Sequence, residues 1–149
     1  MKIINRKFSR DYDVVEKFEA GIVLTGAEVK SVRQGGIRLD GSFIAFLENG
    51  PYLIGADISK YRFAENENYD PKRSRKILLT KKEILKIKGK LTSGRGLTVV
   101  PMSCYNKGAL LKLEVAIVRG RKDLQKRKYD KQKTIARNQK REAKEFIRS

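Results

Sequence analysis

"GLTVVPMSCYNKGALLKLEVAIV", Gly96 to Val118, is a pair of apolar runs around Asn106-Lys107-Gly108. In the second run Leu111, Leu113, Val115 and Ile117 alternate with Lys112, Glu114 and Ala116. A period of two means a strand with one buried face, so the stretch predicts an antiparallel hairpin. A second hairpin signal lies upstream in "SFIAFLENGPYLIGADI", Ser42 to Ile58. There Asn49-Gly50 suits the two positive-φ positions of a type I′ turn, and Pro51 can open the next strand. "FEAGIVL" (Phe18–Leu24) and "RKILL" (Arg75–Leu79) read as further strands. "TGAEVKSVRQGG" reads as a helix that starts at Thr25, stops at Gly35-Gly36 and carries Val29 and Val32 on one side. "TKKEILKIKGKL" has Thr80 as N-cap and Glu83 three residues on, a capping box. A helical turn is expected around Tyr61–Asn66. Strands that close on themselves with small helices between them predict a mainly β fold, a small β-barrel of the OB type.

Charge divides the chain. Its 149 residues hold 35 Lys and Arg against 17 Asp and Glu, a formal net charge of +18. Residues 1–119 hold 23 cations and 13 acids; residues 120–149 hold 12 cations and 4 acids. We expect one domain over 1–119 and a basic tail over 120–149. The tail has too few large apolar residues to offset its ordering entropy alone. It lacks Pro, and its scattered Ile135, Ala136, Ala143, Phe146 and Ile147 are compatible with a helix against a polyanion. It is therefore expected to be disordered when free and helical when bound. A helix of its length would reach about 45 Å.

The composition argues against catalysis. There is no histidine, which removes His-based acid–base pairs and His-containing metal sites. Cys104 is the one cysteine, so an internal disulfide is excluded, and a small buried hydrophobe is its simplest role. The glycines of "GRGL" and "RQGG" match neither a P-loop nor a dinucleotide fingerprint. The expectation is a binding protein with no cofactor and no metal. "MKIINRKFSRDYD" lacks the apolar run of a signal peptide, and no stretch has the length to span a bilayer. A cytoplasmic, non-membrane protein that is monomeric when free is expected.

A net charge this large points to a polyanionic partner. In "DPKRSRKILLTKKEI", Asp70 to Ile84, the cations Lys72, Arg73, Arg75 and Lys76 precede or enter a strand. A dense row of like charge there repels itself unless an anion sits beside it. Phosphate contact is the reading adopted. Among the tyrosines, Tyr12 lies in a basic segment ahead of the first predicted strand and is the candidate for stacking on an unpaired base.

These segments resemble the small protein B family, the SsrA-binding or tmRNA-binding proteins of bacteria. "NRK" (Asn5–Lys7) followed by Asp11-Tyr12 is similar to the family's opening. "FEAGIVLTGAEVKSVRQG" (Phe18–Gly35), "DPKRSRKILLTKKEI", "GLTVVPMSCYNKG" (Gly96–Gly108) and "VRGRK" (Val118–Lys122) follow in the family's order. The resemblance implies an OB-fold-like barrel of about six antiparallel strands with about three short helices. It implies binding to the tRNA-like domain of tmRNA, delivery to stalled ribosomes, and trans-translation. It implies that the C-terminal tail occupies the decoding centre and the empty mRNA channel. Glu19, Leu78 and Thr80 match family positions associated with tmRNA binding, and Thr80 stands where many members carry His or Asn. With them we place Asn5, Arg6, Lys7, Tyr12, Lys30, Arg33, Lys72, Arg73, Arg75 and Lys76 as RNA-binding. Arg121, Lys122, Lys126, Arg127, Tyr129, Lys131, Lys133 and Arg137 are the ribosome-binding set. Two registers are open for the tail's stacking residue, Leu124 or Tyr129. Tyr129 is preferred, because leucine lacks a flat polarisable face. The alternative is a ribosomal or initiation-type OB-fold protein without tmRNA specificity.

Overall fold

The computed structural model describes residues 1–65 and 67–148. Strand β1 (Lys2–Ile4) leads into a one-turn helix α1 (Phe8–Asp11) and then the long strand β2 (Tyr12–Ile22). Helix α2 (Gly26–Arg33) follows, then β3 (Ile37–Arg38), β4 (Phe43–Leu47), β5 (Gly50–Ile54), β6 (Asp57–Ile58) and β7 (Arg75–Leu78). Helix α3 (Lys81–Ser93) precedes the hairpin β8 (Leu97–Lys107) and β9 (Leu110–Gly120). Helix α4 (Asp123–Arg148) forms the tail.

The fold is mainly β, and every strand pairing is antiparallel. Seven strands run in the order β1-β8-β9-β2-β7-β5-β4, and β3 pairs with β6 in a separate ribbon. The expected barrel does not close through hydrogen bonds: the edge strand β4 lies against β8 without a ladder between them. Among the described residues, nine strands and four helices replace the six and three expected, because the short pieces β1, β3, β6 and α1 carry too few residues to show a period.

The hairpin that decides the fold is present, and Leu113, Val115 and Ile117 point into the core fully buried. Each is worth roughly 1.5–3 kcal/mol relative to exposure. The alternation stops being polar on the other face at Ala116 and Val118. Those two are buried beneath Phe8 and Val100, because α1 covers that end of the sheet. The turn is Gly108-Ala109 rather than Asn106-Lys107-Gly108, since β8 continues to Lys107, which pairs with Leu110. Gly108 has φ +61° at the first of the two loop positions, which L side chains rarely adopt. The other turn also shifts by one. Leu47 pairs with Gly50, so Glu48-Asn49 form the loop, and Asn49 does not take a positive φ.

Both capping boxes form. Thr25 and Glu28 close the start of α2, and Thr80 and Glu83 close the start of α3, each with side chain and backbone satisfied reciprocally. The helical turn expected at Tyr61–Asn66 is a non-helical turn closed by Ala64 N–H donating to Tyr61 O; Asn66 lies outside the described residues. The tail, expected to be disordered in the free chain, is a helix in this structure. Its root is tied to α1, and nothing in its sequence breaks a helix.

Candidate nucleic-acid interface

The outer face of the sheet gathers several of the expected residues. Gly21 is the Cα partner of Leu78 on one side and of Lys112 on the other, and Lys112 is the partner of Tyr105. Residues opposite one another share a face, so Tyr105, Lys112, Gly21 and Leu78 form one row across β8, β9, β2 and β7. Glu19 lies two residues from Gly21 on the same face. Leu78 is 54% exposed there, beside the hydrogen side chain of Gly21. Lys76, two residues before Leu78, is also exposed on that face.

Glu19 is held by two donors. The Tyr105 hydroxyl and Lys107 Nζ both donate to its carboxylate, the latter at 2.9 Å. The Tyr105 hydrogen bond first, then Lys107, lower the Glu19 pKa below its ordinary value. Burial and the Glu19 hydrogen bond push Tyr105 up to about 12, so its hydroxyl stays a donor at neutral pH. Glu19 also stands directly opposite Glu114 across β2 and β9. Like charges in that position destabilise a sheet. Lys17, 3.8 Å from Glu114, and Lys107 offset the repulsion. Glu19, exposed on this face and held by its two donors, suits acceptance from amino groups and 2′-hydroxyls of RNA.

Two expected RNA contacts are overturned. Arg75 is 0% exposed and cannot meet a phosphate. Its Nε and Nη2 donate to Glu28 Oε2 at 2.9 and 2.6 Å, and its Nη1 to the carbonyls of Ala56 and Pro71. Tyr69 completes the set, its hydroxyl accepting from Arg75 Nη2 at 3.1 Å. The buried guanidinium is therefore fully matched and ties α2 to the segment before β7. Burial pushes the Glu28 carboxyl up, but hydrogen bonds from Thr25 N–H, Arg75 and Arg73 outweigh it and hold it at about 2. Asn5 is also buried, its side-chain amide donating to Pro101 O at 3.0 Å, and it serves to seat the chain against β8.

The remaining residues spread over several surfaces. Arg73 is shared: its Nη2 pairs with Glu28 while the side chain stays 45% exposed. Lys72 is exposed beside it. Lys30 sits over the Tyr61 ring at 5.5 Å, and Arg33 donates to Ala109 O at 2.9 Å, bracing α2 against the β8–β9 turn. The hydroxyl of Thr80 is engaged as the α3 cap, which leaves its methyl for contact. Tyr12 packs on Phe8 with ring centroids 5.6 Å apart, so its ring is only partly open. Arg6 and Lys7 are exposed near the N-terminus, away from the Glu19 row in sequence and in strand position. Tyr105, Lys107 and Lys112 share the face of Glu19 and were not in the expected set. The alternation of β9 carries the signal for Lys112, since Leu111 and Leu113 point inward.

The tail begins with a charge clasp. Arg121 Nε pairs with Asp13 at 3.0 Å, and its guanidinium lies 5.3 Å from the Tyr129 ring centroid. Arg10 Nε donates to Asp130 at 3.0 Å, and Lys126 lies 3.8 Å from Asp11. Leu124, the other candidate for stacking, is 65% exposed. Lys122, Arg127, Lys131, Lys133 and Arg137 are exposed and without ion pairs among the described residues. Also among the described residues, no cluster of carboxylates and cysteine could hold a metal, and no helix is long and apolar enough to cross a membrane.

Residues 2–145 match the family model described as "SmpB protein". The chain belongs to the SmpB family. Among relatives, the SsrA-binding protein of Sulfurihydrogenibium sp. (strain YO3AOP1) is 44% identical over 133 residues, 89% of this chain and 87% of that protein. The SsrA-binding protein of Pseudothermotoga lettingae is 43% identical over 136 residues, 91% of each. A chain of the solved structure described as "tmRNA-SmpB: a journey to the center of the bacterial ribosome" superposes with a TM-score of 0.67 at 39% identity. The match covers 82% of this chain and 85% of that one. Membership of the SmpB family bears out the resemblance drawn from the motif blocks.

Proposed function

We propose that this protein binds the tRNA-like domain of tmRNA and delivers it to stalled ribosomes for trans-translation. The observation that carries the reading is the meeting of Glu19 and Leu78. They are far apart in the chain, yet the Gly21–Leu78 pairing sets them on one exposed face. Relatives described as SsrA-binding proteins, and a solved neighbour described with tmRNA and the ribosome, support the choice of RNA. The role is binding and positioning rather than catalysis. Burial pushes the Cys104 thiol up to about 11, so it is not a thiolate nucleophile at neutral pH. A protein working on bacterial ribosomes acts in the cytoplasm.

In this reading the tail helix enters the decoding centre and the vacant mRNA channel. Its unpaired cations Arg127, Lys131 and Arg137 support contact with ribosomal RNA. Tyr129 is the stacking residue, and it must leave the Arg121 guanidinium to stack on a base. The test is a chain truncated after Lys122, assayed for tmRNA binding and for tagging of a nascent peptide on stalled ribosomes. Binding nearly as strong as that of the full chain, with no tagged product, is expected. Normal tagging would sink the role of the tail. Tyr129→Ala is expected to reduce tagging more than Leu124→Ala; the reverse order would move the stacking register. The alternative, a ribosomal OB-type protein, is decided by competition: tmRNA should outcompete ribosomal RNA fragments at raised salt.

A further inference from the structure

A cleft of about 990 Å³ lies between the barrel and the tail helix, bordered by β1, β3 and α4. Its walls carry Lys2, Arg6 and Arg38 from the barrel and Lys133 from the tail, with Asp40 the one acid on its lining. Ile4, 61% exposed, offers an apolar floor. None of the four cations forms an ion pair among the described residues. The contrast with the root of the same helix is direct: there Arg10, Arg121 and Lys126 are each matched to an aspartate. Four unmatched cations facing one cleft repel one another, and that electrostatic arrangement favours an anion between them.

We infer that this cleft binds a segment of single-stranded RNA, its phosphodiesters held by Lys2, Arg6, Arg38 and Lys133 and a base or ribose resting on Ile4. The volume is at the upper end of the roughly 300–1,000 Å³ of ligand pockets, which suits more than a lone phosphate. Repeated charge along the strand matches cations contributed from two separate parts of the fold. Because Lys133 belongs to the tail and Arg38 to the barrel, a bound strand bridges the two and fixes the helix relative to the sheet. Lys2 stands opposite Tyr105 at the β1 end of the Glu19 row, whereas Arg6, Arg38 and Lys133 lie outside that row, and the site needs no tRNA-like fold in its ligand.

The experiment uses the full chain and a fluorescein-labelled oligouridylate, titrated at several salt concentrations. Arg38→Ala, Lys133→Ala and the double variant are compared with Lys81→Ala/Lys82→Ala, which removes equal charge from the exposed start of α3. Each cleft substitution is expected to make the log affinity against log salt slope shallower by roughly 0.7, the value for one single-strand phosphate contact. The double variant should lose both increments. A double variant that behaves as the α3 pair does would overturn the cleft. So would polyglutamate of equal charge displacing the oligouridylate as well as unlabelled RNA does, which would assign the cleft to an acidic polypeptide. Because oligouridylate has no tRNA-like fold, this readout is separate from tmRNA binding at Glu19, and either reading can fail alone.

Discussion

Gly21 and Leu78 face each other across β2 and β7, and a Cβ added to Gly21 would stand 3.2 Å from the Cβ of Leu78. That approach is tighter than ordinary van der Waals contact, so the leucine must shift. Gly21→Ala should therefore weaken tmRNA binding by displacing Leu78 while changing fold stability little. The entropy gained in replacing glycine, about 0.4–1 kcal/mol, offsets much of the local crowding. Thermal melts and gel-shift titrations on one preparation check this. A large melting loss with affinity unchanged would mean that Leu78 has no part in the interface.

Tyr105 aims Glu19. Tyr105→Phe removes one donor to the carboxylate and keeps the ring. We expect a five- to tenfold loss of tmRNA affinity, the equivalent of about 1–1.5 kcal/mol for a single hydrogen bond. Glu19→Ala should cost more. If Tyr105→Phe has no effect in the Glu19→Ala background, the two act as one unit; additive losses would show that the tyrosine contacts RNA on its own account.

Arg75→Ala should destabilise the fold by about 3–5 kcal/mol, since it leaves the Glu28 carboxylate buried with its main partner gone. Lys72→Ala, at an exposed cation of the same run, should leave stability nearly unchanged. Urea unfolding of both variants distinguishes a buried strut from a surface charge.

Stability should also depend on pH through Glu28. The folded carboxyl sits at about 2 against an ordinary value of 4.5. Between those values the unfolded chain binds the proton and the folded chain does not. The contribution is thus complete above about 4.5 and is lost as pH falls towards about 2. Urea midpoints measured from neutral pH downward should fall through that window, and Glu28→Gln should flatten the fall while lowering the plateau. A wild-type midpoint that does not move there would refute the assignment.

The clasp at the root of the tail is made of partly exposed ion pairs, each worth at most about 1 kcal/mol. Arg10→Ala or raised salt should loosen the start of α4 without unfolding the sheet. Hydrogen exchange should speed up at residues 124–131 and stay slow in β8 and β9. Unchanged exchange at the root would show that the helix is held by other contacts.

What was legible in the sequence was local or periodic. The alternation from Leu111 to Ile117 gave the hairpin, and both Thr–Glu capping boxes lay within four residues. The motif blocks gave the family. Arg75 was misjudged because its partner, Glu28, is 47 residues away and the charge run around it looks uniform. Nothing in "KRSRK" distinguishes the one arginine that turns inward. Asn5 was misjudged for the same kind of reason, since its acceptor is the carbonyl of Pro101. The one-turn helix α1 has no period to detect, yet it decides that Ala116 and Val118 are core rather than surface. Lys112 could have been found from the strand period alone.

The tail leaves the body at Gly120, the last residue of a strand laddered on both sides, by β8 and by β2. The Arg121 N–H continues that ladder by donating to Asp11 O at 2.8 Å. In mechanical terms, a pull on the tail along β9 loads two rows of hydrogen bonds in shear at once, so the bonds share the load instead of opening singly. We predict that the body withstands traction on its tail far better along the strand than across the sheet. Single-molecule pulling from the C-terminus in two attachment geometries would measure this, and equal rupture forces in both would refute it. A ribosome moving with the tail held in its channel would then drag the domain as a rigid load.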